Sequence, residues 1–407
     1  MNFIGGGMMK KNERELPSAI CLMHHFAHNF GDQAILKSTI QKIDGIHPDV
    51  HKIAVFYDGV LPENANDLYG TNNIKLIFIK NSFFLNRKKL LLCLLAPRKL
   101  LKLIVSRKNK LLKNIKYTIY LGGHHFTDIN GTTSLLKSLV SLKIAIALGK
   151  PVILFPMTIG PISKEILMQL LNHFLKKVQR ILIRDSSCIV LNNKIVSEKC
   201  ENLPDVVYGL QVEEFLDNEK VPSSSKRIGI TLYNKNTVGF EDENRRYIVE
   251  ISKFIRYLEN LGYQISIINM ESPKVSGEKE IIDTLKQKLP ISTKVTYTHN
   301  ENYYDAVRQI KKMDYMICTK THSSIFSFIL NKPSIGIAYH KKMIDFYTGL
   351  ELRDYVFDFK DISKEHLINR FTKLIKNENI VKERLAKEIK TISENIKLTL
   401  QGELHAF

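Results

Sequence analysis

Short apolar runs alternate with longer segments whose apolar residues recur every three or four positions. The runs predict strands over 19–23, 52–57, 74–79, 117–121, 151–155 and 180–183. The periodic segments predict helices, among them 133–148 and 164–177. Strand–helix alternation of this kind builds a parallel sheet covered by helices. A polar segment with proline and three serines, 217–226, reads as a linker. The alternation then restarts, with strands over 227–233, 264–269, 294–298, 314–320, 334–339 and 355–359. Helices are expected over 243–261, 278–289, 303–311, 364–377 and 381–398. The fold class is therefore α/β, with one domain over 1–216, a second over 227–377 and a C-terminal helix over 378–407. A length of 407 residues agrees with two cores rather than one. The cleft between two such units is the natural place for an active site.

One stretch breaks the alternation. Residues 88–116 mix leucine runs with lysine and arginine. Such a segment either covers the sheet with its lysines solvated or lies on an anionic bilayer. The second reading makes peripheral contact with an anionic membrane an expectation. Liposome sedimentation with Lys/Arg-to-Gln changes in this stretch tests it, and equal binding disposes of it.

Sixty Lys and Arg against 41 Asp and Glu give a formal charge of +19. That charge attracts anionic partners: a membrane surface, a nucleic acid or a phosphorylated substrate. It is spread along the chain and no nucleic-acid-binding signature accompanies it, so nucleic acid is not expected. Five scattered cysteines without a CxxC pair suggest reduced thiols in a cytoplasmic protein. The first 18 residues show neither a long apolar core nor a cleavage-like site, so no signal peptide is expected. No apolar run reaches the roughly 18 residues of a spanning helix. The expected location is cytoplasmic, extending to the inner membrane face if the basic segment binds lipid. His24, His25 and His28 lie close together, but without an HExxH pattern or a spaced carboxylate no metal is expected.

The most informative stretch is 314–342. It reads as strand, tight turn, short apolar helix and strand, with Pro333 ending the helix. Thr321 stands where a cap is expected. Lys320, Thr321, His322 and Ser323 thus fall where a strand's carboxyl end meets a helix start. In parallel sheets ligands bind there, and free N–H groups favour an anion. A small phosphate or carboxylate suits this corner, although a capped helix with a surface histidine would look the same. Gly122 and Gly123 close another strand and would let a ligand approach the backbone. Arg184 and Asp185 close a third, as a site cation or a local ion pair. Asn29, Gly31 and Asp32 open a helix after the first strand, as phosphate-cradle residues or simple caps.

Several motifs occur in an order that resembles the polysaccharide pyruvyl transferases. They are Asn29-Phe30-Gly31-Asp32-Gln33-Ala34-Ile35, Gly122-Gly123 with Asp128, and Thr158-Ile159-Gly160-Pro161. Ile183-Arg184-Asp185, Pro204-Asp205 and Thr321-His322-Ser323 follow, the last with Lys332-Pro333 and Tyr339-x-x-Lys342. Each is short; together, on a matching layout, they are specific at family level. Lys320 stands where the family usually has arginine, and a lysine is a point charge rather than a bidentate fork. Cys188 stands in place of a usual serine, and His124-His125 in place of smaller residues.

The resemblance implies two Rossmann-like domains facing across a cleft, as in GT-B glycosyltransferases. It implies pyruvyl transfer from phosphoenolpyruvate to a sugar of a surface polysaccharide or a lipid-linked oligosaccharide acceptor. It implies no metal or organic cofactor. On this view Lys320, Thr321, Ser323, Arg184, Asn29, Gly31, Asp32, Gly122, Gly123, Gly160 and Lys342 are expected to bind substrate. His322 would hydrogen-bond the donor phosphate or act as general acid/base. Asp128 would orient or deprotonate the acceptor hydroxyl. Two other classes share the layout: a nucleotide-sugar glycosyltransferase and a non-catalytic binding module. The second half lacks the Glu-x7-Glu pair that the former would suggest.

Overall fold

A computed structural model describes residues 18–24, 29–56, 69, 73–78, 114–129, 131–185, 193–212, 226–234, 241–273 and 276–405. Strands β1 (Ala19–His24), β2 (His51–Phe56), β3 (Ile74–Phe78), β4 (Ile115–Tyr120), β5 (Gly123–Phe126), β6 (Val152–Ile159), β7 (Arg180–Ile183) and β8 (Cys200–Asn202) form the first sheet. Its order is β3-β2-β1-β4-β6-β7-β8, with β5 pairing beside β6. Helices α1 (Phe30–Ile46), α2 (Thr132–Ala147), α3 (Glu165–Leu175) and α4 (Lys194–Ser197) accompany it. The second sheet contains β9 (Arg227–Thr231), β10 (Gln264–Ile267), β11 (Val295–Tyr297), β12 (Tyr315–Cys318), β13 (Ser334–Ala338) and β14 (Val356–Asp358). It runs β11-β10-β9-β12-β13-β14. Its described pairings are all parallel. Its helices are α5 (Glu241–Asn260), α6 (Ser276–Lys288), α7 (Tyr303–Lys311), α8 (Thr321–Ile329), α9 (Lys341–Gly349) and α10 (Lys364–Lys376).

The strand order reverses direction between β1 and β4 and again between β9 and β12. Helices on opposite faces part at such a point, which leaves a crevice outside the carboxyl ends. Burial on both faces explains the continuous apolar strands. In β1, Ile20 and Leu22 join one core cluster, while Ala19, Cys21 and Met23 join the other. The first cluster runs on through α1 into the second sheet, so the two units share apolar contacts.

The final helix α11 (Glu378–His405) is 28 residues long; it lies within the expected C-terminal segment 378–407 and runs past the periodic stretch that ends at 398. Its last turns return to the first unit, where Glu403 pairs with Arg180 at 2.9 Å and the Leu404 carbonyl meets the His47 ring at 3.2 Å. Those contacts come from distant sequence, so the apolar periodicity alone stops short of the last turns. Helix α9 was not expected; Met343, Phe346 and Tyr347 give it a buried stripe only nine residues long. The basic stretch 88–116 and the linker 217–226 lie outside the described residues except for residues 114–116 and 226. No helix among the described residues is long and apolar enough to cross a membrane.

Candidate active site

Helix α8 starts at the carboxyl end of β12, beside the reversal point of the second sheet. Its cap is Lys320, one residue before the expected Thr321, and the cap makes no side-chain hydrogen bond. Ser323 instead stiffens the turn: its hydroxyl donates to the Lys320 carbonyl at 2.6 Å and meets Thr231 Oγ1 at 2.8 Å. The first N–H groups of a helix have no acceptor inside it. Two polar atoms beside them, Thr321 Oγ1 and His322 Nε2, are buried without a hydrogen-bond partner among the described residues.

Facing this corner is the start of α1. Asn29 caps α1 by accepting from the Gly31 N–H at 2.8 Å. A Cβ on Gly31 would lie 1.9 Å from His322 Nδ1, so only glycine admits the imidazole here. The Phe30 N–H donates to the Met270 carbonyl at 3.1 Å, and Asn29 bridges antiparallel to Glu271. Tyr303 N–H donates to Gln33 Oε1 at 3.0 Å. Main-chain bonds thus tie the start of α1 to the loop after β10, while Gly31 packs against His322 at the second sheet's reversal point.

Lys320 is expected on an anionic ligand, but its ammonium is already paired. It reaches Glu271 Oε1 at 2.6 Å and Glu278 Oε1 at 3.5 Å. Burial opposes its charge, yet the two carboxylates outweigh that and hold its pKa above the ordinary range. Glu278 also accepts from the Met270 and Glu271 N–H groups, at 2.8 Å each. Lys320 therefore braces the loop that touches α1. Burial pushes the Glu278 carboxyl up from 4.5 to about 7, against the pull of Lys320. A raised carboxyl pKa means the folded protein holds the proton better than the unfolded chain. Stability is thus lost as pH rises from about 4.5 to about 7, by up to about 3 kcal/mol from this group. The Glu278→Gln protein should lack that loss, as urea unfolding across this range would show. Parallel pH profiles in the two proteins would contradict it.

Arg184 sits just past β7 and is also fully engaged on one side. Its Nη1 donates to Asp205 Oδ2, and its Nε donates to Thr158 Oγ1 at 3.1 Å. Thr158 in turn donates to Asp185. Asp205 caps the single turn Val206–Gly209 by accepting from the Val207 N–H at 3.1 Å. His322 Nε2 stands 3.6 Å from Asp205 Oδ2, beyond hydrogen-bond length. Burial works against the Asp205 carboxylate, but Arg184 and then His322 hold its pKa well below the usual range. His322, Arg184 and Asp205 are therefore one cluster drawn from both sheets.

Lys342, in the first turn of α9, is 7% exposed, and no carboxylate lies within ion-pair distance of it among the described residues. Its ammonium lies 5.8 Å from the centroid of the Tyr339 ring. His340 caps α9 by accepting from the Lys342 N–H at 3.2 Å. The His340 ring meets His124 of the first unit edge-on at 5.5 Å. His124 Nε2 bonds the Gly160 carbonyl at 2.6 Å, and a carbonyl only accepts, so this nitrogen carries the proton. Burial and Lys342 lower the His124 pKa to about 3, which keeps it neutral.

Two expected features take other roles. Asp128 is half-buried, and its Oδ2 accepts from the Ser163 N–H at 2.7 Å and the Ser163 hydroxyl at 2.5 Å. Those bonds lower its pKa, which makes it a weak base and a good loop tie. In this structure Asp128 ties its loop to Ser163. A Cβ on Gly122 would lie 2.1 Å from the Pro156 carbonyl, and one on Gly123 would lie 2.0 Å from His125 Nε2. The protein itself occupies the space expected for a ligand. Asp32 lies in the first turn of α1. Missing from the sequence expectation were Glu271, Glu278, His340 and the stacked pair Tyr233–Tyr339. Tyr339 and His340 fell within a quoted motif; Glu271, Glu278 and Tyr233 are brought in by strand ends far apart in the chain.

Among the described residues no group of His, Cys, Asp and Glu could hold a metal ion. The sequence profile of the polysaccharide pyruvyl transferases matches residues 29–341. The amylovoran biosynthesis protein AmsJ of Erwinia amylovora is 20% identical over 409 residues, covering 90% of this chain and 94% of that protein. Among solved structures, S. aureus MnaA with UDP superposes with a TM-score of 0.60 at 11% identity, covering 94% of this chain and 97% of the other. A UDP-forming α,α-trehalose-phosphate synthase from Burkholderia vietnamiensis gives 0.60 at 8% identity, covering 97% and 100%. These likenesses concern the fold: two Rossmann-like domains in the GT-B arrangement.

Proposed function

The chain belongs to the polysaccharide pyruvyl transferase family and is a polysaccharide-modifying transferase, and from that premise we propose that it moves a pyruvyl group from phosphoenolpyruvate to a sugar. The sugar belongs to a cell-surface polysaccharide or its lipid-linked precursor. One observation carries the donor: Lys342 is a buried cation without a carboxylate partner among the described residues. Burying an unpaired ammonium costs several kcal/mol, so an anion is the partner it suits. The α8 N–H groups, Thr321 Oγ1 and His322 Nε2 lie at the same crevice and suit a second anionic group. Phosphoenolpyruvate has both a phosphate and a carboxylate.

In the reaction C3 of the donor gains a proton and C2 becomes oxocarbenium-like. A sugar hydroxyl attacks C2, phosphate leaves, and a second hydroxyl closes the ketal. His322 either hydrogen-bonds the phosphate or moves a proton. Asp205, itself paired with Arg184, places a carboxylate 3.6 Å from His322 Nε2. Lys320 supports the site by fixing the Met270–Glu271 backbone rather than by gripping the donor.

The test supplies phosphoenolpyruvate and an acceptor oligosaccharide of the same cell's polysaccharide. Phosphate release together with a new pyruvyl methyl signal in proton NMR is expected. Consumption of a UDP-sugar with phosphoenolpyruvate untouched would overturn the proposal in favour of a glycosyltransferase.

A further inference from the structure

Tyr339 directly follows β13, and Tyr233 lies two residues past β9. Those strands flank β12 on either side, and β12 leads into α8. The two tyrosines therefore meet across the start of α8, with ring centroids 4.0 Å apart and planes at 19°. The stack fixes the Tyr339 ring, and Lys342 lies 5.8 Å from its centroid. We propose that the Tyr339 hydroxyl protonates C3 of the donor and then takes the proton of the attacking sugar hydroxyl. This role rests on the transfer reading above.

The proton balance closes on one residue. The C2=C3 electron pair takes the phenol proton, a C3–H bond forms, and Tyr339 is left as phenolate. The sugar oxygen bonds to C2, and its proton passes to the phenolate. Tyr339 is restored, and the phosphate is still attached to C2. C3 and the incoming oxygen are both neighbours of C2, so one group on one face of the donor reaches both.

The surroundings suit this exchange. Burial opposes the phenolate, but the positive charges of Lys342, Lys320 and Arg184 work against it, and the Tyr339 pKa lies below its ordinary value. Tyr233 is pushed the other way by burial, by Tyr339 and by Glu271. Of two stacked phenols, only Tyr339 is prepared to ionise. His340 is the next residue, and burial and Lys342 lower its pKa.

The Tyr339→Phe protein keeps the ring, the stack and the contact with Lys342. It should be stabilised by phosphoenolpyruvate as the wild type is, yet turn over about 100-fold more slowly or worse. An ultraviolet difference titration should show one tyrosinate forming below the ordinary range in the wild type and missing from Tyr339→Phe. Wild-type turnover in Tyr339→Phe, or superimposable titrations, would overturn the role alone. A wild type that neither binds nor consumes phosphoenolpyruvate would overturn the transfer reading and this role with it.

Discussion

Replacing His322 with asparagine is expected to slow pyruvyl transfer by about 10²–10⁴-fold, the usual contribution of a positioned acid or base. Folding should survive. The imidazole is 12% exposed on its side chain and makes no hydrogen bond among the described residues, so the native state loses little. Asp205 keeps Arg184 and the Val207 N–H as partners. Asparagine is smaller than histidine and cannot crowd Gly31. Turnover and thermal unfolding of the same preparation separate the two effects. Near-normal turnover would reduce His322 to a corner residue that merely fills the space beside α1.

The second large effect is on stability. Asp205→Ala leaves the Arg184 guanidinium buried without its main counter-charge; in the native pair the side chains are 2% and 1% exposed. Breaking such a pair from one side costs about 3–5 kcal/mol. The Val207 N–H also loses its cap. The double change Arg184→Met with Asp205→Leu removes both charges and should recover much of the loss, but not activity. Urea unfolding of the three proteins measures this. The pH sign is also set: the Asp205 pKa is depressed in the folded state, so its contribution is present above the unfolded value near 3.8 and fades as pH falls below it. The wild type should therefore lose more stability on acidification than Asp205→Ala. A single mutant as stable as the wild type would show that the buried pair contributes nothing net.

Much of this architecture was legible in the chain. The β12–α8–β13 corner was, because a short apolar strand, a run of small hydroxyl residues and Pro333 each constrain the backbone locally. The reach of Lys320 was not. Its partners Glu271 and Glu278 precede it by more than 40 residues and lie on another strand–helix unit, so no spacing announces them. Burying an ammonium demands counter-charge, but which carboxylates supply it is a matter of tertiary packing. The tie that Asp128 makes was hidden for the same reason. Its motif position was visible, while Ser163, 35 residues on, was not. Helix α9 escaped because its nine residues make only about two and a half turns directly after a strand. Lys342 was named only through the resemblance; its burial and lack of a carboxylate partner emerge only from the fold.

The central claim is that the α8 corner and Lys342 receive a small molecule with two anionic groups. Its most direct test is ligand-induced thermal stabilisation of the wild-type and Lys342→Gln proteins, with phosphoenolpyruvate and with UDP. A ligand at 100 times its Kd adds about 2.7 kcal/mol to the folded state, which a melting curve resolves readily. Phosphoenolpyruvate should raise the wild-type Tm, UDP should not, and Lys342→Gln should respond to neither. A wild type stabilised by UDP alone, or a Lys342→Gln protein that still responds fully to phosphoenolpyruvate, would contradict the account.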